Sequence, residues 1–406
     1  MSAQGAARVT LKWGIPSPST GMRVAKVLPL LRKAVAAAPD RADLKVQLAM
    51  ALFEVDQTAE LVDMLKPLLT GEDTAPELLY WLGRAAMARG DDALAVVALR
   101  SAAAKGIANA FDFLATTLAR LGQEDEALEA GLAALNRAPG NFEPLRAVAT
   151  ALCNRGETER LWRLCVGLRS RGAQGGWLAA AMASTAAMLG RDEALGKLMD
   201  RSKWFLPVRL AVADDFNRSL AAELLTEKTA HPLPATMATR GAGARVDNLQ
   251  RIGGPHTQNL LGRIRAAVEA YVAEREIYFG DATIAPPPAA VTLKSWSLAV
   301  HDDGHTDWHI HPRGWISGVY YVDVPKLAPG GVDHPGAIEF GPFPFGGNTD
   351  ALRALCWHLM PTPGLLLLFP SYYAHHTWAT GVAATRISVA FDVRPAQPMT
   401  DTQQED

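Results

Sequence analysis

The stretch "GHTDWHIHPRGWISGVYYVDVP", residues 304–325, decides how the C-terminal half of this chain is read. It sets His305, Asp307, His309 and His311 at every second position, then enters an aromatic, β-branched run. Alternate residues of an extended strand share a face, so four potential metal ligands are expected to point the same way. Two further features lie downstream. "PGLLLLFPSYYAHH" (363–376) is an apolar strand that runs through Pro-Ser to His375 and His376. "TRISVAFDV" (385–393) carries Arg386 in an otherwise apolar strand.

Arginine inside a β-core is costly unless paired, and its planar fork suits a carboxylate. Imidazoles on neighbouring strands suit iron, zinc, copper or nickel. Three protein ligands on one face leave metal positions open for substrate and oxygen. A metal beside a fixed cation for an anionic cosubstrate therefore follows from residue types and spacing. The identity of the cosubstrate does not.

The surrounding sequence is β-type. "VTLKSWSLAV" (291–300), "WISGVYYVDV" (315–324), "AIEFG" (337–341) and "GLLLLF" (364–369) are separated by Gly- and Pro-rich turns. Short strands without intervening helices predict a sandwich, jelly roll or small barrel. "APPPAA" (285–290) reads as a helix stop and a boundary. Ahead of it, "DDFNRSLAAELLTE" (214–227) and "TQNLLGRIRAAVEAYVAER" (257–275) read as helices, the second opening after a "GGPHT" turn.

The N-terminal half has a different period. Turn signals recur at Asp56, Gly90, Gly122, Gly156 and Gly190, at steps of 34, 32, 34 and 34 residues. Each is followed by an Ala/Leu-rich amphipathic stretch. Helix, turn, helix at this period resembles the tetratricopeptide repeat, with the aromatic positions best matched in "LLYWLG" (78–83). A pair of amphipathic helices cannot bury its apolar face alone, so neighbours must stack into a solenoid. Such an array serves as a scaffold or as a peptide-binding groove.

Taken together, "HIHPRGWISGVYYVDVP", "GLLLLFPSYYAHHTW" and "RISVAFDV", in this order, resemble the 2-oxoglutarate/Fe(II)-dependent oxygenase family; "SWSLAV" and "GGPHTQNLL" are similar to further segments of it. The resemblance covers roughly residues 205–395. It implies a double-stranded β-helix, Fe(II), 2-oxoglutarate and O₂. It also implies His309 and His375 as metal ligands and Arg386 as the cosubstrate cation, with Ser388 on the same strand face. The wider superfamily has His-x-Asp/Glu where this chain has His309-Ile310-His311. Either His311 replaces the acid, or it does not bind and water fills in. The spacing to "SGVYY" favours His309 and His311, with the literal His305-Thr306-Asp307 as the alternative pair. Tyr320 and Tyr321 alternate, and Tyr320 is the candidate for facing the cofactor.

The expected architecture is a multidomain α + β chain. Residues 22–203 form a tetratricopeptide-like solenoid. Residues 205–395 form a double-stranded β-helix (jelly roll) with flanking helices, its helical lead-in at 205–285 and its β core at 290–395. The expected function is an Fe(II)/2-oxoglutarate dioxygenase that hydroxylates a peptide or protein held partly by the repeats. The alternative is an interaction module with an inactive cupin-like domain.

Bulk composition sets the remaining limits. The 406 residues are 49% hydrophobic and 20% charged, and 40 basic against 42 acidic residues give a formal charge of −2. No basic bias points to nucleic acid or an anionic membrane. Cys153, Cys165 and Cys356 have no paired spacing, which fits a reducing compartment. With no apolar leader and no run long enough to span a bilayer, the expected location is cytoplasmic.

Overall fold

A computed structural model describes residues 11–14, 20–137, 144–233, 238–275, 287–326, 334–347 and 349–396. The first residues of the "APPPAA" boundary lie outside them. Two compact units are present: Ser17–Ala173 with Phe345–Gly347, and Met1–Pro16 with Gln174–Pro344 and Asn348–Asp406.

The first unit is an array of helices: α1 Thr20–Ala37, α2 Ala42–Glu54, α3 Thr58–Leu65, α4 Pro76–Ala88, α5 Asp92–Ala104, α6 Ala110–Arg120, α7 Glu124–Arg137, α8 Leu145–Asn154 and α9 Thr158–Ser170. The periodic turn residues are the left-handed C-terminal stops of alternate helices. Asp56, Gly90, Gly122 and Gly156 all have positive φ, a conformation glycine adopts at no steric cost. The N–H after each stop reaches back five residues to a helix carbonyl: Gln57 to Leu52, Asp91 to Ala86, Gln123 to Leu118 and Glu157 to Leu152. This is the Schellman closure, repeated once per helix pair. Between paired helices, small residues let backbones approach. A Cβ on Gly83 of "LLYWLG" would meet Leu99 Cγ at 2.5 Å. Leu52, Leu61, Leu82 and Leu99 are fully buried in the resulting core. The chain therefore carries a tetratricopeptide-like helical array.

The second unit starts with α10 Gly176–Met188, α11 Asp192–Met199 and α12 Arg201–Trp204, the turn at Gly190 closing as in the array. Its strands are β1 Leu206–Arg209, β2 His231–Pro232, β3 Thr239–Arg240, β4 Gly243–Asp247, β5 Val291–His301, β6 His305–His309, β7 Ile316–Asp323, β8 Ile338–Gly341, β9 Trp357–Leu359, β10 Leu365–Pro370, β11 Ala374–Thr377 and β12 Thr385–Pro395. They form two antiparallel sheets, ordered β1-β10-β7-β12-β5-β4-β2 and β3-β6-β11-β8-β9. The two sheets sandwich a cavity, giving the jelly roll the sequence predicts. Two helices occupy the expected positions ahead of the core: α13 Phe216–Leu225 and α15 Pro255–Glu274, with the short α14 Leu249–Ile252 between them. The same segment also supplies β1 to β4, which the helical reading of 205–285 lacks. Strands of two to five residues are too short to show a period.

The long β5 and β12 pair along their whole length, Thr385 with His301 through Pro395 with Val291, and β7 flanks β12. Arg386, Ser388, Ala390, Asp392 and Arg394 of β12 thus face the cavity beside Lys294, Trp296, Leu298 and Val300 of β5. α13 and α15 are tied by charge. The Glu223 carboxylate accepts hydrogen bonds from the His256 and Thr257 N–H groups at the start of α15. No helix among the described residues is long and apolar enough to cross a membrane.

Candidate metal centre

Three histidines at one end of a strand pair converge. One ring nitrogen from each of His309, His311 and His375 lies within 4.8 Å of the others. β11 places His375 directly across from His309 of β6. His311 sits two residues past the end of β6, where its N–H bonds to the Ser371 carbonyl.

In each ring Nδ1 is already committed. His309 Nδ1 donates to the Asp307 carbonyl at 2.8 Å and His375 Nδ1 to the Tyr373 carbonyl at 3.0 Å. A carbonyl can only accept, so Nδ1 carries the proton and Nε2 keeps its lone pair. His311 Nδ1 donates to Asp392 Oδ1 at 2.6 Å, which gives the same tautomer. Burial, reinforced by the neighbouring His311, pushes His309 down to about 4. Burial, with His309 and His311 beside it, also pushes His375 well down. The His309 and His375 imidazoles are neutral lone-pair donors near neutral pH.

Asp392 is the residue the sequence reading passed over. It is 1% exposed and also accepts from Ser317 Oγ at 2.9 Å and Arg394 Nη2 at 2.7 Å. Burial opposes its ionisation, but His311 and Arg394 together hold the carboxyl well below its usual range. Its parity with Arg386 and Ser388 on "TRISVAFDV" was the available signal. His311 is further packed face to face on Trp296, ring centroids 5.7 Å apart.

The alternative pair is placed elsewhere. Thr377 aligns with Thr306 although His375 aligns with His309, so β6 uses one residue more than β11 across this interval. That bulge reverses the alternation. Thr306 turns into the cavity with His309, while His305 and Asp307 lie outside its lining. Asp307 instead forms an ion pair with Arg240 at 2.8 Å. The expectation that all four odd positions share a face is thereby corrected.

Arg386 is 5% exposed at the cavity wall. Its Nη2 donates to Thr377 Oγ1 at 3.1 Å, and no carboxylate pairs with it among the described residues. Burial pulls its pKa below the usual guanidinium value. Ser388 lines the same wall. The tyrosines are exchanged relative to expectation. Tyr321 lines the cavity near Arg386, its hydroxyl pushed up to about 12 by burial. Tyr320 points to the other face of β7 and donates to Asn217 Oδ1 at 2.6 Å. His376, next to His375, also faces away and bonds to Glu339 at 2.7 Å. The whole cavity is about 350 Å³, with Ile338, Phe369, Leu298 and Val300 as apolar walls.

Residues 294–392 match the family model described as "Putative 2OG-Fe(II) oxygenase". The β core of the second unit thus carries a region similar to the 2OG-Fe(II) oxygenase family, in one chain with the tetratricopeptide-like array. No curated protein matches the chain. Among solved structures, a prolyl-4-hydroxylase from Pseudomonas putida is 16% identical, over 49% of this chain and 96% of its own, with a TM-score of 0.33. AviO1 from Streptomyces viridochromogenes Tue57 is 16% identical over 50% of this chain and 96% of its own, with a TM-score of 0.34. YrrB, described as a TPR protein with an unusual peptide-binding site, is 17% identical over 42% of this chain and 90% of its own, with a TM-score of 0.36.

Proposed function

We propose that this chain is an Fe(II)- and 2-oxoglutarate-dependent dioxygenase that hydroxylates a polypeptide, with His309, His311 and His375 holding the metal. The observation that carries the reading is the set of three ring nitrogens within 4.8 Å of one another, with each Nδ1 held by its own oxygen partner. That donor set fits a divalent first-row metal, and three ligands on one face leave room for further ones. Iron bound there would supply activation of O₂ for oxidation of a C–H bond, with 2-oxoglutarate converted to succinate and CO₂.

The protein's own contribution is positioning and exclusion. Asp392 holds the His311 ring in place and keeps its Nε2 electron-rich. Arg386, anchored on Thr377, binds the far carboxylate of 2-oxoglutarate. Thr377 lies two residues beyond His375 on β11, a same-face spacing of roughly 7 Å. That suits the length of a five-carbon dicarboxylate. Ser388 is at hand on the same wall, and Leu298, Val300, Ile338 and Phe369 keep water out. The repeat array motivates a polypeptide substrate, because stacked helix pairs present extended surfaces suited to chains.

The test uses the intact chain with Fe(II), 2-oxoglutarate, air and a tryptic digest of host proteins. The reading expects succinate, together with peptides heavier by one oxygen atom. Succinate no higher than with the metal-stripped chain would refute it.

A further inference from the structure

The cavity has a second cationic end, unused by the roles above. Lys294 of β5 stands opposite Asp392 of β12, six residues along β12 from Arg386, or roughly 20 Å of strand. Arg245 of β4 reaches the same end, its guanidinium 4.8 Å from the Trp296 ring centroid. Trp296 in turn stacks on His311, so this end adjoins the metal ligands.

The charges there do not balance. Two carboxylates act on Lys294 there, Asp247 and Asp392. Asp392 is taken by His311 and Arg394. Asp247 is taken by His231 and by Nε and Nη2 of Arg245. Among the described residues, that leaves Lys294 without an ion pair and one nitrogen of Arg245 without an acceptor. The Arg245 side chain is 7% exposed, yet its Nη1 has no hydrogen-bond partner. Lys294 forms no ion pair among the described residues and lines the cavity. Burial, and then Arg394, pull its ammonium below the usual lysine value. A buried guanidinium nitrogen without an acceptor is costly, and so is a half-buried cation without a counter-charge. A substrate oxyanion beside Lys294 would supply the missing counter-charge, with the Arg245 guanidinium adding to the same positive field.

We infer that the Arg245–Lys294 end of the cavity binds a carboxylate of the substrate, so that the preferred substrate is a peptide with an acidic residue near the oxidised one. This rests on the oxygenase reading for its word "substrate", but the site can be tested without turnover.

The experiment uses the full chain loaded anaerobically with Fe(II) and 2-oxoglutarate. Fluorescently labelled random octapeptides with a fixed central Glu, and the same pool with central Gln, are titrated by anisotropy. The Glu pool is expected to bind at least about tenfold tighter, with a preference that fades as salt rises. Lys294→Gln should abolish the preference and Lys294→Arg should retain it, melting curves confirming that both fold. Equal binding of the two pools, or a preference that survives Lys294→Gln, overturns the inference. Loss of 2-oxoglutarate binding in Lys294→Gln with the Glu preference intact also overturns it, because that end would then serve the cosubstrate. A chain that prefers the Glu pool but forms no succinate keeps the anion site and loses the oxygenase reading.

Discussion

At the residue scale the site depends on which ring atoms are free. Nδ1 of each site histidine is committed to a fixed oxygen, and Asp392 is the one partner that is charged. Asp392→Asn is expected to weaken Fe(II) binding by roughly 10- to 100-fold, read by anaerobic iron titration. Unchanged affinity would mean the carboxylate does not orient His311. Arg386→Met is expected to raise the KM for 2-oxoglutarate about a hundredfold, in line with the ~2–5 kcal/mol lost when one partner of a buried charge pair is truncated. A KM within a few-fold of the parent would remove Arg386 from that role. The sequence made His309, His311, His375 and Arg386 legible because imidazole and guanidinium in apolar strands are conspicuous. Asp392 was hidden because His311 and Ser317, which bond to it, lie far away in sequence. The choice between Tyr320 and Tyr321 needed to know which face of β7 meets the cavity, and alternation alone cannot say.

Elements obey rules that are partly written locally. Left-handed helix stops require glycine or a residue such as Asp, so the turns from Asp56 to Gly190 could be read directly. The bulge in β6 could not, because it arises from pairing with β11 rather than from β6 itself. Two packing features give predictions. Gly83→Ala would gain ~1 kcal/mol of helix propensity, but the new Cβ would land against Leu99, and overpacking costs ~1–3 kcal/mol. The net expectation is a lower urea midpoint; a higher one would show that Leu99 yields freely. Glu223 closes the start of α15. Burial raises its pKa, but the hydrogen bonds from Thr257 and His256 outweigh this and hold it below the usual range. A carboxyl depressed on folding contributes stability above its unfolded pKa of ~4.3, and that contribution fades as pH falls through the folded value. Glu223→Gln should therefore cost about 1 kcal/mol at pH 7, with the gap to the parent closing below about pH 4. A gap that is constant with pH would assign the cost to shape rather than charge.

For the whole molecule, the sequence showed the two architectures through two periods, one of 34 residues and one of alternating short strands. Period reports local geometry. It does not say which neighbour buries a helix face, nor which short strands of 206–247 extend the sheets, since those depend on contacts far apart in sequence. The jelly roll brings His309 of β6 and His375 of β11 together with Arg386 of β12 at one cavity. The central claim is that this assembled set holds one iron with 2-oxoglutarate beside it. The most direct measurement is an anaerobic titration of the intact chain with Fe(II) and then 2-oxoglutarate, followed by visible absorption. The account predicts a weak metal-to-cosubstrate charge-transfer band that saturates with iron, disappears in His375→Ala and needs far more 2-oxoglutarate in Arg386→Met. Iron that binds without giving the band, or a band untouched by His375→Ala, would contradict it.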